Sequence, residues 1–353
     1  MTGERLTGYR PSLDGVRAVA IGLVMAEHAQ LHLFRAGGFG VDVFFVLSGY
    51  LITGLLTAEV EGTGRLGFRA FYVRRASRLY PALLALVTLG GLLLWHQGVP
   101  ARRMVEAGGI AVSYLTDLFS FGHASVWALW GFTWSLSIEE HFYLLWPPVL
   151  YLLLRRGGRE RAVRWAWLGA AAGAVAVVAL AVRGTFGPPP LYFQPQAHVG
   201  GLLLGCALAL APRFPDWSRH LAGPSLVALL ALVLVSPSPV HATYFRLLPV
   251  AWVLTGALVV GLTQPGRTAS LLAWEPIRLV GVVSYGLYLY HQLVFREVAL
   301  HVHAGRMVLV PVEVVASLVA AALSYRLVEA PVRARGRALA GRLSPRAETA
   351  AGA

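Results

Sequence analysis

The sequence predicts an all-α polytopic membrane protein of about ten transmembrane helices plus one re-entrant or interfacial segment, and three observations carry that class. Of 353 residues, 57% are hydrophobic and only 13% charged, with a mean hydropathy of +0.63, well outside the averages of soluble domains. Runs such as VRAVAIGLVMAEHA, GLLLGCALALA, LVALLALVLV, VAWVLTGALVVGL and VLVPVEVVASLVAAALSY are each long enough, or nearly so, to cross a hydrocarbon core of about 30 Å as helix. They are continuous rather than alternating, so no closed barrel is implied. The net charge of +13 would suggest nucleic acid in a soluble protein. Here the arginines cluster in short loops between apolar runs, where they orient a membrane protein, and no nucleic-acid partner is expected.

Eleven apolar segments follow in order, at about 16–34, 41–58, 79–97, 107–121, 134–154, 162–182, 198–212, 222–236, 246–264, 278–295 and 307–327. The first holds Glu27 and His28 and lacks a small-residue cleavage site, so it reads as a retained span rather than a signal peptide. Eleven crossings from a cytoplasmic N-terminus would put the basic loop RRGGRERAVR, residues 155–164, and the tail arginines Arg333, Arg335 and Arg337 outside. Both misfits vanish if 107–121 does not cross. The expectation is therefore ten crossings of the inner (plasma) membrane, both termini cytoplasmic, and a re-entrant excursion through 107–133 buried against protein. The aromatic stretch VWALWGFTW, residues 126–134, suits a membrane interface or a pocket rim better than a lipid-facing surface. Residues 1–15 form a cytoplasmic segment, 16–332 the membrane domain, and 333–353 a disordered basic tail, with Pro331 ending the last helix. The one cysteine, Cys206, excludes an intramolecular disulfide and a multi-cysteine metal site, and reads as a small buried hydrophobe.

Several polar residues interrupt apolar segments, where charge is costly unless it faces protein, water or a partner. Arg17 and His28 stand eleven residues apart, almost three turns, so they share one face and lie about 16 Å apart along the axis. A structural hydrogen bond is the bland alternative for His28. GGFGVDVFFVLSGYLIT sets Asp42 near a helix start, where the dipole favours a carboxylate, and Ser48-Gly49 in its middle, where glycine admits a close backbone or ligand. FYVRRASRLYPAL carries Arg74 and Arg78 on one helical face, a natural grip for phosphate or carboxylate, or topogenic charge alone; Pro81 falls in the first turn of the following span. In FTWSLSIEEHFYLLWP, Ser135, Glu139, Phe142, Tyr143 and Trp146 share a face, with Trp134 at its entrance, while Glu140 and His141 turn sideways. Glu139 is the buried acid, expected at the depth of His28. In LVGVVSYGLYLYHQLVF, Ser284, Tyr288 and His291 form a strip. For Glu329 a salt bridge to a neighbouring arginine is favoured over catalysis.

With these blocks in order, the chain resembles the membrane-bound acyltransferase-3 family, bacterial O-acyltransferases of sugars, surface polysaccharides and secondary metabolites. The resemblance runs from about Leu13 to Pro331, over LDGVRAVAIGLVMAEH, GGFGVDVFFVLSGYLIT, FYVRRASRLYP, WSLSIEEHFYLLWP, SYGLYLYH and EAP. It implies about ten spans, an acyl-coenzyme A donor (acetyl-CoA or another short acyl-CoA), no permanently bound cofactor and no metal, and transfer to a hydroxyl. By motif position His28 would be the catalytic histidine and Arg17 with Arg74, Arg75 and Arg78 would hold the donor. Glu139 matches the family's acidic position, and His141 stands where glutamine is commoner. Members acting on exported polysaccharides often carry an extra hydrolase-like domain, so a stand-alone enzyme on a small glycoside, a macrolide-like metabolite or a lipid-linked sugar is expected. In the combined reading His28 is general base, Glu139 or Asp42 orients its ring, and Ser48, Tyr143 or a backbone donor supports the oxyanion. Ser48 would also sit on the donor side, and Ser135, Tyr143, Trp134, Tyr288 and His291 would line the substrate pocket. The rival is a proton-coupled transporter of a polar metabolite using the same buried groups.

Overall fold

The computed structural model describes residues 9–119, 129–184, 191–239 and 241–344, and among these every regular element is helical. Helix α1, Pro11–His28, opens on a proline whose missing N–H would have been unpaired anyway, with Asp14 in its first turn against the dipole. Helix α2, Phe39–Thr63, ends on Gly64, which takes φ 70° and donates its N–H to Val60 O at 2.8 Å, a left-handed cap that costs glycine little.

Helix α3, Phe68–His96, starts thirteen residues before Pro81 and passes through a π turn at Leu86–Gly90. Pro81 thus lies inside the helix, not in its first turn as expected, because the arginine-rich stretch continues the helix instead of forming a loop. The Tyr285 and Tyr290 hydroxyls donate to Leu79 O and Ala82 O at 2.8 and 3.1 Å, tying down backbone around the proline. Helix α4, Ala101–Val112, and a single turn at Thr116–Phe119 cover part of the expected 107–133 excursion; residues 120–128 lie outside the described residues.

Trp134–Val182 (α5) is broken at Gly158, whose φ is 67° and ψ −175°. Its arms, 134–157 and 159–182, match the two segments expected there, and each is about 36 Å long at 1.5 Å per residue. Next come α6, Val199–Leu210; α7, Arg219–Val235; α8, Ala242–Gly261; a short helix Arg267–Leu272; α9, Glu275–Val282; α10, Ser284–His301; and α11, Arg306–Leu343. The expected segment 278–295 is two helices, divided at Val283. The basic tail also departs from expectation: residues 333–343 are helical and Pro331 does not stop α11. A π turn at Tyr325–Glu329 precedes Pro331, and its wider backbone spacing accommodates a ring that would otherwise meet the preceding turn. Residues 345–353 lie outside the described residues.

Six helices among the described residues are long and apolar enough to cross a membrane by length and composition: Phe39–Thr63, Phe68–His96, Gly131–Val182, Asp216–Val235, Ala242–Gly261 and Arg306–Leu343. They are arranged around α2, whose apolar window is 78% buried against 17% for α11. The outer helices present leucines and valines such as Leu144, Leu145, Leu168, Val227, Val315 and Leu327 to the surroundings, as a lipid-facing surface must. One end of the bundle collects the basic residues. Arg159 donates to Leu210 O at 2.8 Å, to Ala211 O at 3.0 Å and to Glu61 at 3.1 Å, so the 155–164 segment, the end of α2 and the end of α6 lie together. Tyr9, Arg78 and Arg333 line one cavity, which brings the N-terminal residues, the arginine-rich half of α3 and the last helix to a common end.

The centre is set by a backbone approach between α2 and α6. A side chain on Gly49 would collide with Leu202 O, and one on Gly205 with Val46 O; two glycines at the crossing let the chains touch without side chains between them. Beside it, fully buried His198 donates from Nε2 to Tyr192 O at 2.6 Å and shares a hydrogen bond of 2.9 Å between its Nδ1 and Asp42 Oδ1, while Trp252 Nε1 donates to the same Asp42 oxygen at 2.8 Å.

Two outcomes follow for purified protein in detergent. Gly205→Leu forces α2 and α6 apart, and thermal unfolding should show a loss of at least about 3 kcal/mol. Asp42→Ala leaves His198 Nδ1 and Trp252 Nε1 without their shared partner in the core, at a cost of about 1–3 kcal/mol for each unpaired group, visible as a lowered unfolding midpoint and a shrunken monodisperse peak in size exclusion.

Candidate active site

The basic end of the bundle holds a cavity of about 390 Å3 lined by Tyr9, Asp14, Arg17, Arg78, Arg278, Ser284, Tyr285, Tyr325, Glu329 and Arg333 among others. Four guanidinium groups face two carboxylates there. Asp14, buried, is held between Arg17, which donates at 2.6 Å, and the Tyr9 hydroxyl, which donates at 2.7 Å. Arg278 reaches the Tyr9 oxygen at 3.2 Å and grips Glu275 with two bonds of 2.6 and 2.9 Å, and that grip holds the Glu275 carboxyl below its usual range. Glu329, on the π turn of α11, lines this cavity and accepts from Ser324 at 3.3 Å.

A second, narrower cavity of about 80 Å3 lies farther from the basic end and shares Arg17, Arg78, Ser284 and Tyr285 with the first. Its wall adds Arg75, Ser48, Glu139, Ser135, Tyr143 and Tyr288 to apolar residues of α2. The α5 face anticipated from spacing is therefore real: Ser135, Glu139 and Tyr143 point into one space. Tyr143 donates to Ser48 Oγ at 3.0 Å and Ser48 donates to Glu139 Oε1 at 2.5 Å. The Arg75 guanidinium lies over the Tyr143 ring, 5.1 Å from its centroid, a cation–π contact strengthened by exclusion of water. Glu139 thus faces Arg17, Arg75 and Arg78 across the cavity. At the other end the Ser135 and Tyr288 hydroxyls are 2.5 Å apart, and Tyr288 donates to Phe132 O at 2.9 Å.

His28 ends α1, exposed at one edge. Its Nδ1 lies 2.9 Å from Val24 O, an acceptor only, so the hydrogen is on Nδ1 and the lone pair on Nε2. The Gln292 amide donates to that Nε2 at 2.9 Å. Buried His291 approaches from α10, with its Nε2 3.2 Å from His28 Nδ1 and the ring centroids 5.0 Å apart.

Several expectations are corrected by this arrangement. Neither Glu139 nor Asp42 orients His28: Glu139 is bonded to Ser48 among the arginines, Asp42 to His198 and Trp252, and the partners of His28 are Val24, His291 and Gln292. Glu139 belongs to the arginine level and not to the depth of His28, because α5 brings it beside α2 and α3 rather than against the end of α1. Ser48 and Tyr143 spend their hydroxyl hydrogens on the Tyr143–Ser48–Glu139 chain and are not spare oxyanion donors. Arg74 is drawn away into an ion pair with Glu59 at 3.4 Å and lines neither cavity, whereas Arg75 and Arg78 do. Trp134 packs in the core against His198 at 5.1 Å and Tyr192 at 5.0 Å, and His291 sits behind the pocket wall. His141 meets Asp117 at 3.4 Å on the sideways face of α5.

Sequence reasoning missed Asp14, Arg278, Arg333, His198 and Gln292. Asp14 and Arg17 carried a usable signal, an opposite-charge pair three apart at a helix start. The others meet the site only through tertiary packing.

Residues 10–326 match the family model Acyl_transf_3, the acyltransferase domain. Curated relatives include the peptidoglycan O-acetyltransferase OatA of Listeria monocytogenes, 30% identical, and the putative peptidoglycan O-acetyltransferase YrhL of Bacillus subtilis, 31% identical, over 93% of this chain and 56% and 55% of theirs. The O-acetyltransferase OatA of Staphylococcus aureus is 28% identical over 93% of this chain and 58% of its own. The chain spans about half the length of the curated relatives it matches. No solved structure matches it. The relatives favour the acyltransferase reading over the transporter, and the motif blocks, the arginine-walled cavities and the match to residues 10–326 agree: the chain belongs to the acyltransferase-3 family of membrane acyltransferases.

Proposed function

We propose that this protein transfers a short acyl group from acyl-coenzyme A to a hydroxyl of a sugar or glycan, with His28 as general base. The observation that carries the reading is the pair of cavities joined through Arg17, Arg78, Ser284 and Tyr285. Arginine forks at an open mouth suit the phosphates of coenzyme A, and the narrower space behind suits its uncharged arm and thioester. Arg17, Arg75, Arg78, Arg278 and Arg333 hold the anionic part; Glu139 keeps the inner guanidiniums in place while leaving net positive charge on the wall.

The acceptor hydroxyl displaces the Gln292 amide from His28 Nε2 and gives its proton to that lone pair as its oxygen attacks the thioester carbon. A carbon–oxygen bond forms, the carbon–sulfur bond breaks, and the thiolate recovers the proton from the imidazolium to leave as coenzyme A thiol. Transfer is direct in a ternary complex. In the same reading the chain makes ten crossings of the plasma membrane with both termini cytoplasmic, counting the two arms of α5 and the shorter α1, α6 and α10. The common basic end and the Arg159–Glu61 contact support it. The arginine mouth then meets the cytoplasmic donor, and the acceptor arrives at the exposed end of α1. The relatives' names make a cell-wall glycan hydroxyl the first acceptor to try.

The test is thiol release and labelled-product formation by purified protein supplied with labelled acetyl-coenzyme A and a panel of glycans and glycosides. His28→Ala should lower acceptor-dependent turnover by about 10²–10⁴-fold with donor binding retained; undiminished turnover would refute the base. Arg75→Ala and Arg78→Ala should each raise the donor KM by about 10–100-fold, the worth of a charge-assisted hydrogen bond. Arg74→Ala should leave that KM within about twofold, since Arg74 is paired with Glu59 and lines neither cavity.

A further inference from the structure

We propose that His291 is the positioning residue of the catalytic imidazole, a neutral histidine occupying the place where a carboxylate would be sought. The inference rests on the reading of His28 as base and deepens it. The hydrogen-bond directions admit one assignment. His291 Nδ1 faces two backbone carbonyls, Leu287 O at 2.9 Å and Tyr288 O at 2.8 Å, and carbonyls only accept, so its hydrogen is there. Its Nε2 therefore offers a lone pair. That lone pair is directed at His28 Nδ1, 3.2 Å away, which already carries the hydrogen shared with Val24 O at 2.9 Å.

The consequence is a tautomer lock. With Nδ1–H held between Val24 O and His291 Nε2, the lone pair of His28 stays on Nε2, the atom open to the acceptor. After proton transfer the imidazolium retains acceptors for its Nδ1 hydrogen without a nearby anion, which would itself need compensation in a low-dielectric bundle. His291 is rigid enough for this: it is fully buried, and its ring is packed 5.7 Å from Phe295 and 5.9 Å from Tyr288. Tyr288 lines the inner cavity, so the residue that aims the base is seated on the wall of the space assigned to the thioester.

The test is steady-state kinetics of His291→Phe, His291→Gln and His291→Asn, with His28→Ala beside them. Phenylalanine keeps the ring volume and removes the lone pair; kcat should fall roughly 10²-fold with donor KM unchanged, as expected for a misaligned base. Glutamine can return an acceptor oxygen near the old Nε2 position and should recover at least a tenth of the lost rate; asparagine is too short and should not. Wild-type kcat in the phenylalanine variant overturns the proposal. So does equal impairment of glutamine and asparagine variants with a raised donor KM, which marks a packing role. If the phenylalanine variant does not fold, the glutamine and asparagine pair decides by the same criterion. Should His28→Ala itself retain turnover, the base assignment fails, and that result is distinct from failure of His291 alone.

Discussion

A buried polar or ionisable side chain inside a lipid-embedded bundle must find its partners within the protein, and that constraint organises this molecule. Asp42 answers it with His198 and Trp252, Asp14 with Arg17 and Tyr9, and Glu139 with Ser48 and the facing arginines. Each partnership crosses between segments or joins turns of one helix, so each also fixes how helices are rotated about their axes. The Gly49 and Gly205 crossing brings α2 and α6 close enough for Asp42 and His198, on those helices' flanks, to meet.

Charge compensation also separates two chemical environments. The arginines and their carboxylates occupy the basic end and the inner cavity, where an anionic ligand would complete the balance. His28 lies at the other end of α1 from Asp14, among uncharged partners: a carbonyl, an amide and a neutral imidazole. An imidazole next to Glu139 would have been drawn into ionic pairing with it, whereas in its actual setting its lone pair remains on the accessible nitrogen.

Departures from regular helix occur where function needs shape. The π turn at Tyr325–Glu329 brings Tyr325 and Glu329 to the mouth cavity, and that at Leu86–Gly90 follows the stretch of α3 tied by Tyr285 and Tyr290. The Gly158 break reverses no contact at the site, but it frees Arg159 to cap the carbonyls at the end of α6 and to hold the basic end together.

Hydropathy and periodicity alone determined the helical class, the approximate place of most apolar helices though not the ends of α3 and α11 or the division at Val283, and the α5 face of Ser135, Glu139 and Tyr143, because these depend on local burial and on the 3.6-residue repeat. They also determined that Arg17 and His28 share a face of α1. Which acid meets which imidazole was decided only by tertiary structure. Two polar groups on different helices are paired by the rotation and tilt of both, and those are set by backbone approach at glycines and by the summed packing of neighbours. Hence the acid expected beside His28 is at the arginines, Asp42 is matched by an unforeseen His198, and His291 rather than a carboxylate touches His28. Arg74 and Arg75 show the same limit at smaller scale: adjacent in sequence and alike in chemistry, they differ in role because a helix turns about 100° between them.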